Sequence, residues 1–268
     1  MSRLDYFSDV AKDYEKYRPS YPPAAIDKLL VGVRSDSKIV AADIGAGTGI
    51  GSRLLAQRGI QVLAIEPNPQ MRAVATPNNH IRFIAGTAEK IPLSTASVDL
   101  VSSFQAFHWF DFEHSLQEFG RILKPSGRLA LLWSFWDQTD PFSKYYTRLL
   151  YEAAKHSQQP MPQFQSATTQ RTGWAKWRSR WQYWLFWQGF QLPGFRHLQK
   201  HEFTYRQTLD VTGLIGCARS QGFVPASGSE FDDLAAQLRI LHRQWANQQG
   251  YVRLAYRTYL FTAVSAGI

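Results

Sequence analysis

The stretch "AADIGAGTGIGSRLLAQRG", residues 41–59, decides the fold of this chain. An apolar segment runs into alternating glycines, and a segment with helical periodicity follows at once. A strand that ends on Gly-x-Gly and turns into a helix lets the backbone approach a ligand closely, because glycine has no side chain and tolerates positive φ. The stretch therefore predicts a strand, a ligand-binding loop and a helix in succession.

Short apolar segments alternate with helical segments on both sides of this loop, from residue 37 to residue 135. The apolar segments predict strands, and they are "KIVAADIG", "QVLAIEP", "IRFIAG", "VDLVSSF" and "RLALLWSF". Between them, "FEHSLQEFGRILKPSG" predicts a helix that ends at the Pro-Ser-Gly of residues 125–127. Such alternation is typical of an α/β domain with a parallel sheet covered by helices on both faces.

The regular alternation lapses after about residue 137 and returns near residue 195. We divide the chain into an N-terminal cap segment at 1–36, a Rossmann-like core at 37–136, a lid insertion at 137–194, and a C-terminal completion of the sheet at 195–268. The insertion contains "GWAKWRSRWQYWLFWQGF", in which tryptophans recur at helical spacing. We expect this tryptophan-rich helix to pack over the sheet as a lid, and contact with a membrane surface is the alternative.

Composition sets limits on the class of protein. The chain has 268 residues, 44% of them hydrophobic, which is enough for a sizeable core. Cys217 is the only cysteine, so an intrachain disulfide and a cysteine zinc cluster are excluded. Residues 1–22 lack a secretory pattern, and the longest apolar run, at 129–136, is far below the roughly 18 residues of a membrane span. We expect a cytoplasmic protein.

The spacing of the glycines distinguishes between cofactors. A dinucleotide fingerprint, G-x-G-x-x-G, needs glycine at position 50, where Ile50 stands. Asp43, two residues before the first glycine, would repel a pyrophosphate and attract a cationic ligand. S-adenosyl-L-methionine carries a sulfonium and an ammonium and has no phosphate. Glu66, at the end of the next strand, suits ribose hydroxyls in either cofactor class.

Together these residues resemble the class I methyltransferases that depend on S-adenosyl-L-methionine. The resemblance covers roughly residues 5–135 and rests on "DIGAGTG", "IEPN" and "GTAEKIPLSTASVDLVSSFQAFHWFD". Within that class, "YEKYRPSYP" and "FHWFD" are similar to the small-molecule methyltransferases related to the trans-aconitate and the ubiquinone/menaquinone biosynthesis enzymes. The resemblance implies a seven-stranded, mostly parallel sheet with a reversed final hairpin.

The resemblance also implies roles for particular residues around the cofactor. The methionine end would contact Asp43, Gly45, Gly47 and Gln105. The ribose would contact Glu66, and the adenine would contact Thr87, Ala88 and Glu89. The cofactor carboxylate would contact Arg18. Arg18 would act as a bidentate clamp from a segment that closes over the site.

The acceptor of the methyl group is less strongly indicated. Residues 104–111, "FQAFHWFD", lack the motif of amino-group methylation of nucleic-acid bases, and Cys217 lies far from the place of a cysteine nucleophile. His108 is the candidate general base, and the alternative is a histidine that only lines the site. Trp109 is expected to shape the acceptor pocket. His197 and His201 fall on a predicted strand, about 13 Å apart, so we expect no metal site there.

Charge suggests what the acceptor carries. The formal net charge is +9, and residues 157–206 hold seven Lys/Arg against Glu202 alone, which gives +6. We expect an anionic small molecule, held partly by Arg178 and O-methylated on a carboxyl group, with an aromatic or quinol acceptor as the alternative. A nucleic-acid partner is not expected. Two alternatives from other classes stay open: an NAD-dependent oxidoreductase and a non-catalytic protein that binds S-adenosyl-L-methionine.

Overall fold

A seven-stranded sheet organises the protein. The computed structural model describes residues 11–33, 38–156 and 192–267. Within these residues the strands are β1 (Val40–Ile44), β2 (Gln61–Ile65), β3 (Ile81–Ile84), β4 (Val98–Phe104), β5 (Leu123–Trp136), β6 (Phe195–Leu209) and β7 (Val252–Ser265). Their order in the sheet is β3-β2-β1-β4-β5-β7-β6.

Strand directions make the sheet mostly parallel. β1 pairs in parallel with both β2 and β4, β2 with β3, and β4 with β5. β7 lies antiparallel between β5 and β6. This confirms the predicted seven-stranded sheet with its reversed final hairpin. Because the chain runs outward from β1 to β3 and then returns to β4, a crevice forms at the carboxyl ends of β1 and β4, where open α/β sheets bind ligands.

The described part of the chain also forms helices. They are α1 (Ala11–Tyr17), α2 (Pro23–Leu30), α3 (Ile50–Ala56), α4 (Pro69–Val74), α5 (Phe112–Ile122), α6 (Pro141–His156), α7 (Val211–Arg219) and α8 (Ser229–Trp245), with a 3₁₀ turn at Phe107–Trp109. The carboxylates of Asp111 and Asp210 accept hydrogen bonds from backbone N–H groups in the first turns of α5 and α7, and Asn68 does the same for α4.

One helix end differs from the sequence prediction. α5 ends at Ile122, and residues 125–127, which were expected to end it, lie within β5. The carbonyls of Arg121 and Ile122 accept hydrogen bonds from the backbone N–H groups of Ala96 and Ser97. The bonds to the segment before β4 draw the chain into the sheet before it reaches the proline.

The two faces of the sheet bury separate apolar clusters. In β4, Leu100 packs with α2 and α3, whereas Val101 faces α5. Alternate residues of a strand point to opposite faces, so a strand buried on both sides has a continuous apolar sequence. Helices therefore cover both faces, as the sequence predicts.

A third apolar cluster lies where β7 begins. It contains the inner faces of α6, α7 and α8, and Tyr146, Leu214 and Leu238 are fully buried in it. α6 is the first helix of the segment that was predicted to be a lid insertion. The tryptophan-rich helix lies outside the described residues, so the predicted domain boundaries stay predictions. None of the described helices combines the length and the apolar character that a membrane crossing requires.

Candidate functional site

A cleft lies at the carboxyl ends of β1, β4 and β5. It is lined by α1 and the segment after it, by the glycine loop and the start of α3, and by the ends of β4 and β5. Its lining residues are Tyr14, Arg18, Pro19, Ser20, Tyr21, Gly45, Ala46, Gly47, Ile50, Gly51, Phe104, Gln105 and Ser134. The cleft thus brings together four of the residues predicted to bind the cofactor, namely Arg18, Gly45, Gly47 and Gln105.

The glycine loop needs its glycines for two different reasons. Gly45, Gly47 and Gly49 all have positive φ, at 68°, 58° and 84°. A Cβ on Gly45 would stand 2.6 Å from the Cβ of Ala106, so the backbone there is tightly packed. A Cβ on Gly47 would meet no described atom within 4 Å. The backbone of Gly47 therefore faces open space in which a ligand can approach it.

Glu66 joins the glycine loop to the end of β2. Its Oε2 accepts a hydrogen bond from the Gly47 N–H at 2.8 Å, and its Oε1 accepts one from the Asn68 N–H at 2.8 Å. Burial raises the pKa of Glu66 above its ordinary value, and these two backbone N–H groups oppose that rise. A carboxylate oxygen that accepts one bond can accept another, so Glu66 can also bind a hydroxyl of a ligand.

Asp43 lies beneath the loop and does not line the cleft. Its side chain is 1% exposed, and its two oxygens accept hydrogen bonds from the hydroxyls of Ser52, at 2.6 Å, and Ser102, at 3.1 Å. Desolvation raises the pKa of Asp43 to about 7. The carboxyl group thus fastens α3 and β4 to β1 behind the loop. Its predicted contact with a cofactor stays a prediction.

Gln105 holds an unfavourable backbone conformation at the end of β4. Its φ is 57°, in the left-handed region that residues other than glycine rarely adopt. Its side-chain amide donates a hydrogen bond to the Ser134 carbonyl at 2.5 Å, and its backbone N–H donates to the Leu132 carbonyl. Such strain persists where the surrounding structure enforces it, which is common at functional sites.

Arg18 places a cationic group at the edge of the cleft. Its guanidinium lies over the Tyr14 ring, 4.7 Å from the ring centre, and its Nη2 donates to the Ser220 carbonyl at 3.1 Å. Its Nε is buried and has no hydrogen-bond partner among the described residues. A buried donor of this kind suits an anionic group in the cleft, such as a carboxylate.

The residues predicted to contact adenine lie after β3, outside the cleft lining. Thr87 bridges to Lys90, and Ala88 is buried. Glu89 accepts a hydrogen bond from the backbone N–H of Asp111 at 2.8 Å, which ties this turn to the start of α5. Their adenine contacts stay predictions.

His108 and Trp109 lie on the 3₁₀ turn that follows β4, and neither lines the cleft. The indole N–H of Trp133 donates to Nδ1 of His108 at 3.3 Å. A neutral imidazole that accepts a bond at Nδ1 carries its proton on Nε2, so this arrangement favours His108 as a hydrogen-bond donor over a general base. Arg178, predicted to contact the acceptor, lies outside the described residues.

Sequence reasoning missed several residues of the cleft. Tyr14 and Tyr21 flank it from the "YEKYRPSYP" segment, in which only Arg18 was selected. Tyr21 is buried, and its ring packs against Phe104 at 5.0 Å. Ser134 lies within an apolar strand and carries no signal of its own. The described residues contain no group of three or more His, Cys, Asp or Glu placed to bind a metal.

The chain matches a known family over the residues that build this cleft. Residues 42–131, from the middle of β1 through most of β5, match the family model described as "Methyltransferase domain". These residues are therefore similar to a methyltransferase domain. The matched stretch contains the glycine loop, Glu66, Gln105 and the turn with His108.

Two curated relatives and one solved structure are similar to the chain. An uncharacterised methyltransferase of Mycobacterium tuberculosis (strain H37Rv) is 42% identical over 135 residues, which cover 49% of this chain and 53% of that protein. An S-adenosylmethionine-dependent methyltransferase of Saccharomyces cerevisiae is 29% identical over 136 residues, which cover 48% of this chain and 45% of that protein. The chain spans about half the length of these relatives. A structure described as a type II methyltransferase from Anaeromyxobacter dehalogenans has the same fold, with 21% identity, a TM-score of 0.66, and coverage of 92% of this chain and 98% of that one.

The matched residues and the segment before them offer groups that fit S-adenosyl-L-methionine. Gly47 faces open space, Glu66 presents acceptor atoms beside it, and Arg18 has a buried N–H directed to no described partner. A ribose, with its hydroxyls, suits Glu66, and the cofactor carboxylate suits Arg18.

Proposed function

We propose that this protein transfers a methyl group from S-adenosyl-L-methionine to a small molecule. The observation that carries the proposal is the open space in front of Gly47, with the Glu66 carboxylate bonded to the same residue. We expect the methionine end to contact Gly45, Gly47 and Gln105, and its carboxylate to contact Arg18. The ribose would bind Glu66, and the adenine would contact Thr87, Ala88 and Glu89. Asp43 would support the loop from below and attract the cationic cofactor through it.

The chain's contribution to such a reaction is positioning. The cofactor supplies an activated methyl group, and direct displacement requires only that a nucleophile approach it in line. Holding two reactants in that geometry can supply up to roughly 7 to 11 kcal/mol of the barrier. Tyr21 and Phe104, packed together at the wall of the cleft, would exclude water from the reacting atoms.

We further propose that the acceptor is an organic acid methylated on a carboxyl oxygen. A carboxylate is already a nucleophile and needs no base, which agrees with a His108 whose Nδ1 is engaged by Trp133. The excess of positive charge in residues 157–206, which includes Arg178, would attract an anion. Trp109 would shape the acceptor pocket. An aromatic or quinol acceptor is the competing hypothesis.

A transfer assay with tritiated S-adenosyl-L-methionine tests this function. The purified protein is incubated with a panel of carboxylic acids and a panel of phenols and quinols, and labelled product is counted after extraction. We expect labelled methyl esters from the acid panel. Labelled ethers from the phenol panel alone would contradict the acid hypothesis, and no labelled product from either panel would contradict the proposed reaction.

A pair of arginine variants tests the electrostatic part. Arg178→Gln should raise the KM for the acid without changing kcat, because the charge acts on binding and not on the displacement step. Arg148→Gln is the matched control, since Arg148 is exposed on α6 and pairs with Glu152. Equal KM values for the two variants would contradict a role for Arg178.

A further inference from the structure

Helix α1 forms part of one wall of the cleft and is fitted closely to α7. Asp13 pairs with Arg219 at the end of α7, with Nη2 and Oδ1 2.9 Å apart. The Gln207 amide of β6 donates a hydrogen bond to the Tyr17 carbonyl at 3.0 Å. A Cβ on Gly216 would stand 2.4 Å from the Tyr17 ring, so this ring packs directly on the backbone of α7. Several contacts therefore hold α1 on this side.

Glu15 connects α1 to the elements on its other side. Asp13 and Glu15 are two positions apart, about 200° around the helix, so they point in nearly opposite directions. The Oε2 of Glu15 accepts a hydrogen bond from Nη2 of Arg53 at 3.0 Å, and its Oε1 accepts one from the Thr76 hydroxyl at 2.9 Å. Glu15 thus ties α1 to α3 and to the chain just after α4.

The arginine that binds Glu15 is itself fixed to the glycine loop. Nη1 of Arg53 donates a hydrogen bond to the Thr48 carbonyl at 2.8 Å. Thr48 is 0% exposed and lies between Gly47 and Gly49. The side chains of Arg53 and Glu15 are 22% and 19% exposed, so water screens this pair less than it screens an open surface pair. The position of α1 is therefore set relative to the loop on the far side of the cleft.

The place of Arg18 depends on α1. Its backbone N–H donates a hydrogen bond to the Tyr14 carbonyl at 3.2 Å, and its guanidinium lies on the Tyr14 ring. Tyr14 and Arg18 both line the cleft, whereas Glu15, which follows Tyr14 in the chain, does not. A guanidinium binds a carboxylate through hydrogen bonds of defined geometry. A displacement of α1 would therefore move the Arg18 guanidinium out of register with the loop.

We propose that Glu15 is a positioning residue for the cofactor. Its bonds to Arg53 and Thr76 hold α1 so that the Arg18 guanidinium faces the carboxylate of S-adenosyl-L-methionine. Glu15 acts through Arg18 and does not contact the cofactor itself. The inference rests on the proposed function, because it presupposes this cofactor and the role of Arg18.

Two ligands that differ in the carboxylate test this role. S-adenosylhomocysteine carries the amino-acid carboxylate, whereas 5′-methylthioadenosine keeps the nucleoside and the sulfur and lacks the carboxylate. Glu15→Gln preserves the size of the side chain and removes its charge. Calorimetry should show S-adenosylhomocysteine bound roughly fivefold to tenfold more weakly by this variant, because a charged hydrogen bond is lost. The affinity for 5′-methylthioadenosine should stay within twofold of that of the natural protein.

Two further variants show whether Glu15 acts through Arg18. Arg18→Gln should weaken S-adenosylhomocysteine and spare 5′-methylthioadenosine. Adding Glu15→Gln to it should weaken S-adenosylhomocysteine less than twofold further, since residues that act as a unit are not additive. Asp27→Asn is the matched control, because Asp27 also pairs an N-terminal helix with an arginine, Arg58, and should leave both affinities unchanged.

Three results would overturn the role of Glu15. They are an S-adenosylhomocysteine affinity of Glu15→Gln within twofold of the natural protein, an equal loss of both ligands, and full additivity with Arg18→Gln. A natural protein that binds neither ligand would contradict the proposed function, and the inference with it.

Discussion

Replacing Asp43 by asparagine should remove a pH dependence that this residue imposes on stability. Asp43 is 1% exposed, and desolvation raises its pKa from 3.8 to about 7, in part offset by bonds from Ser52 and Ser102. The folded protein therefore holds the proton more tightly than the unfolded chain does. The stabilising contribution is complete below the unfolded pKa and is lost as the pH rises through the folded pKa.

The size of the effect follows from the pKa. Each pH unit between the two pKa values changes the free energy of unfolding by about 1.4 kcal/mol, so raising the pH from about 5 to above 7 costs about 3 kcal/mol. Asp43→Asn retains an oxygen that accepts a hydrogen bond but cannot ionise. The variant should gain about 3 kcal/mol relative to the natural protein between about pH 5 and about pH 8.5.

Urea unfolding at these two pH values, for both proteins, measures this difference directly. For each protein, the change in the free energy of unfolding between the two pH values is calculated. Subtracting one change from the other cancels the contributions of all groups that titrate equally in both proteins. Asp27→Asn is the control, because Asp27 is exposed on α2 and pairs only at the surface with Arg58. A stability difference between Asp43→Asn and the natural protein that is the same at both pH values, within about 0.5 kcal/mol, would refute the burial argument.

Two further predictions concern the glycine loop and its partner. A Cβ on Gly51 would stand 2.2 Å from the Phe104 ring, so Gly51→Ala should lower the free energy of unfolding by about 1 to 3 kcal/mol. Gly120 lies on α5 with open space around it, so Gly120→Ala should raise the free energy of unfolding by about 0.5 to 1 kcal/mol. Chemical denaturation of both variants checks this, and equal effects would contradict the close packing. Glu66→Gln keeps only one acceptor oxygen, so its amide NH₂ must face the backbone N–H of either Gly47 or Asn68, and that N–H loses its partner. Calorimetry should show S-adenosylhomocysteine bound about 10- to 100-fold more weakly, and an affinity within twofold of the natural protein would contradict the role of Glu66.

Local patterns made much of the fold predictable. The apolar runs predicted β1 to β5, because buried parallel strands are apolar on both faces, as Leu100 and Val101 show. The glycine stretch predicted a strand, a loop and a helix in succession, and β1 and α3 flank the loop as expected. The reversed final hairpin came from the family resemblance, since periodicity alone indicates only a parallel sheet.

The features that the sequence did not reveal depend on residues far apart in the chain. The end of α5 is set by bonds from Ala96 and Ser97, which no pattern within the helix shows. The hydrogen bond that Asp43 accepts from Ser102 joins residues 59 positions apart, so no local pattern shows it. Trp136 and Tyr146 belong to separate elements, and only the folded chain shows that their rings pack together.

Calorimetric titration of the purified protein with S-adenosyl-L-methionine, S-adenosylhomocysteine and NAD tests the cofactor assignment most directly. The open space at Gly47, the Glu66 carboxylate and the absence of a dinucleotide glycine at Ile50 predict saturable binding of the first two and no binding of NAD. Binding of NAD without binding of S-adenosyl-L-methionine would contradict the assignment.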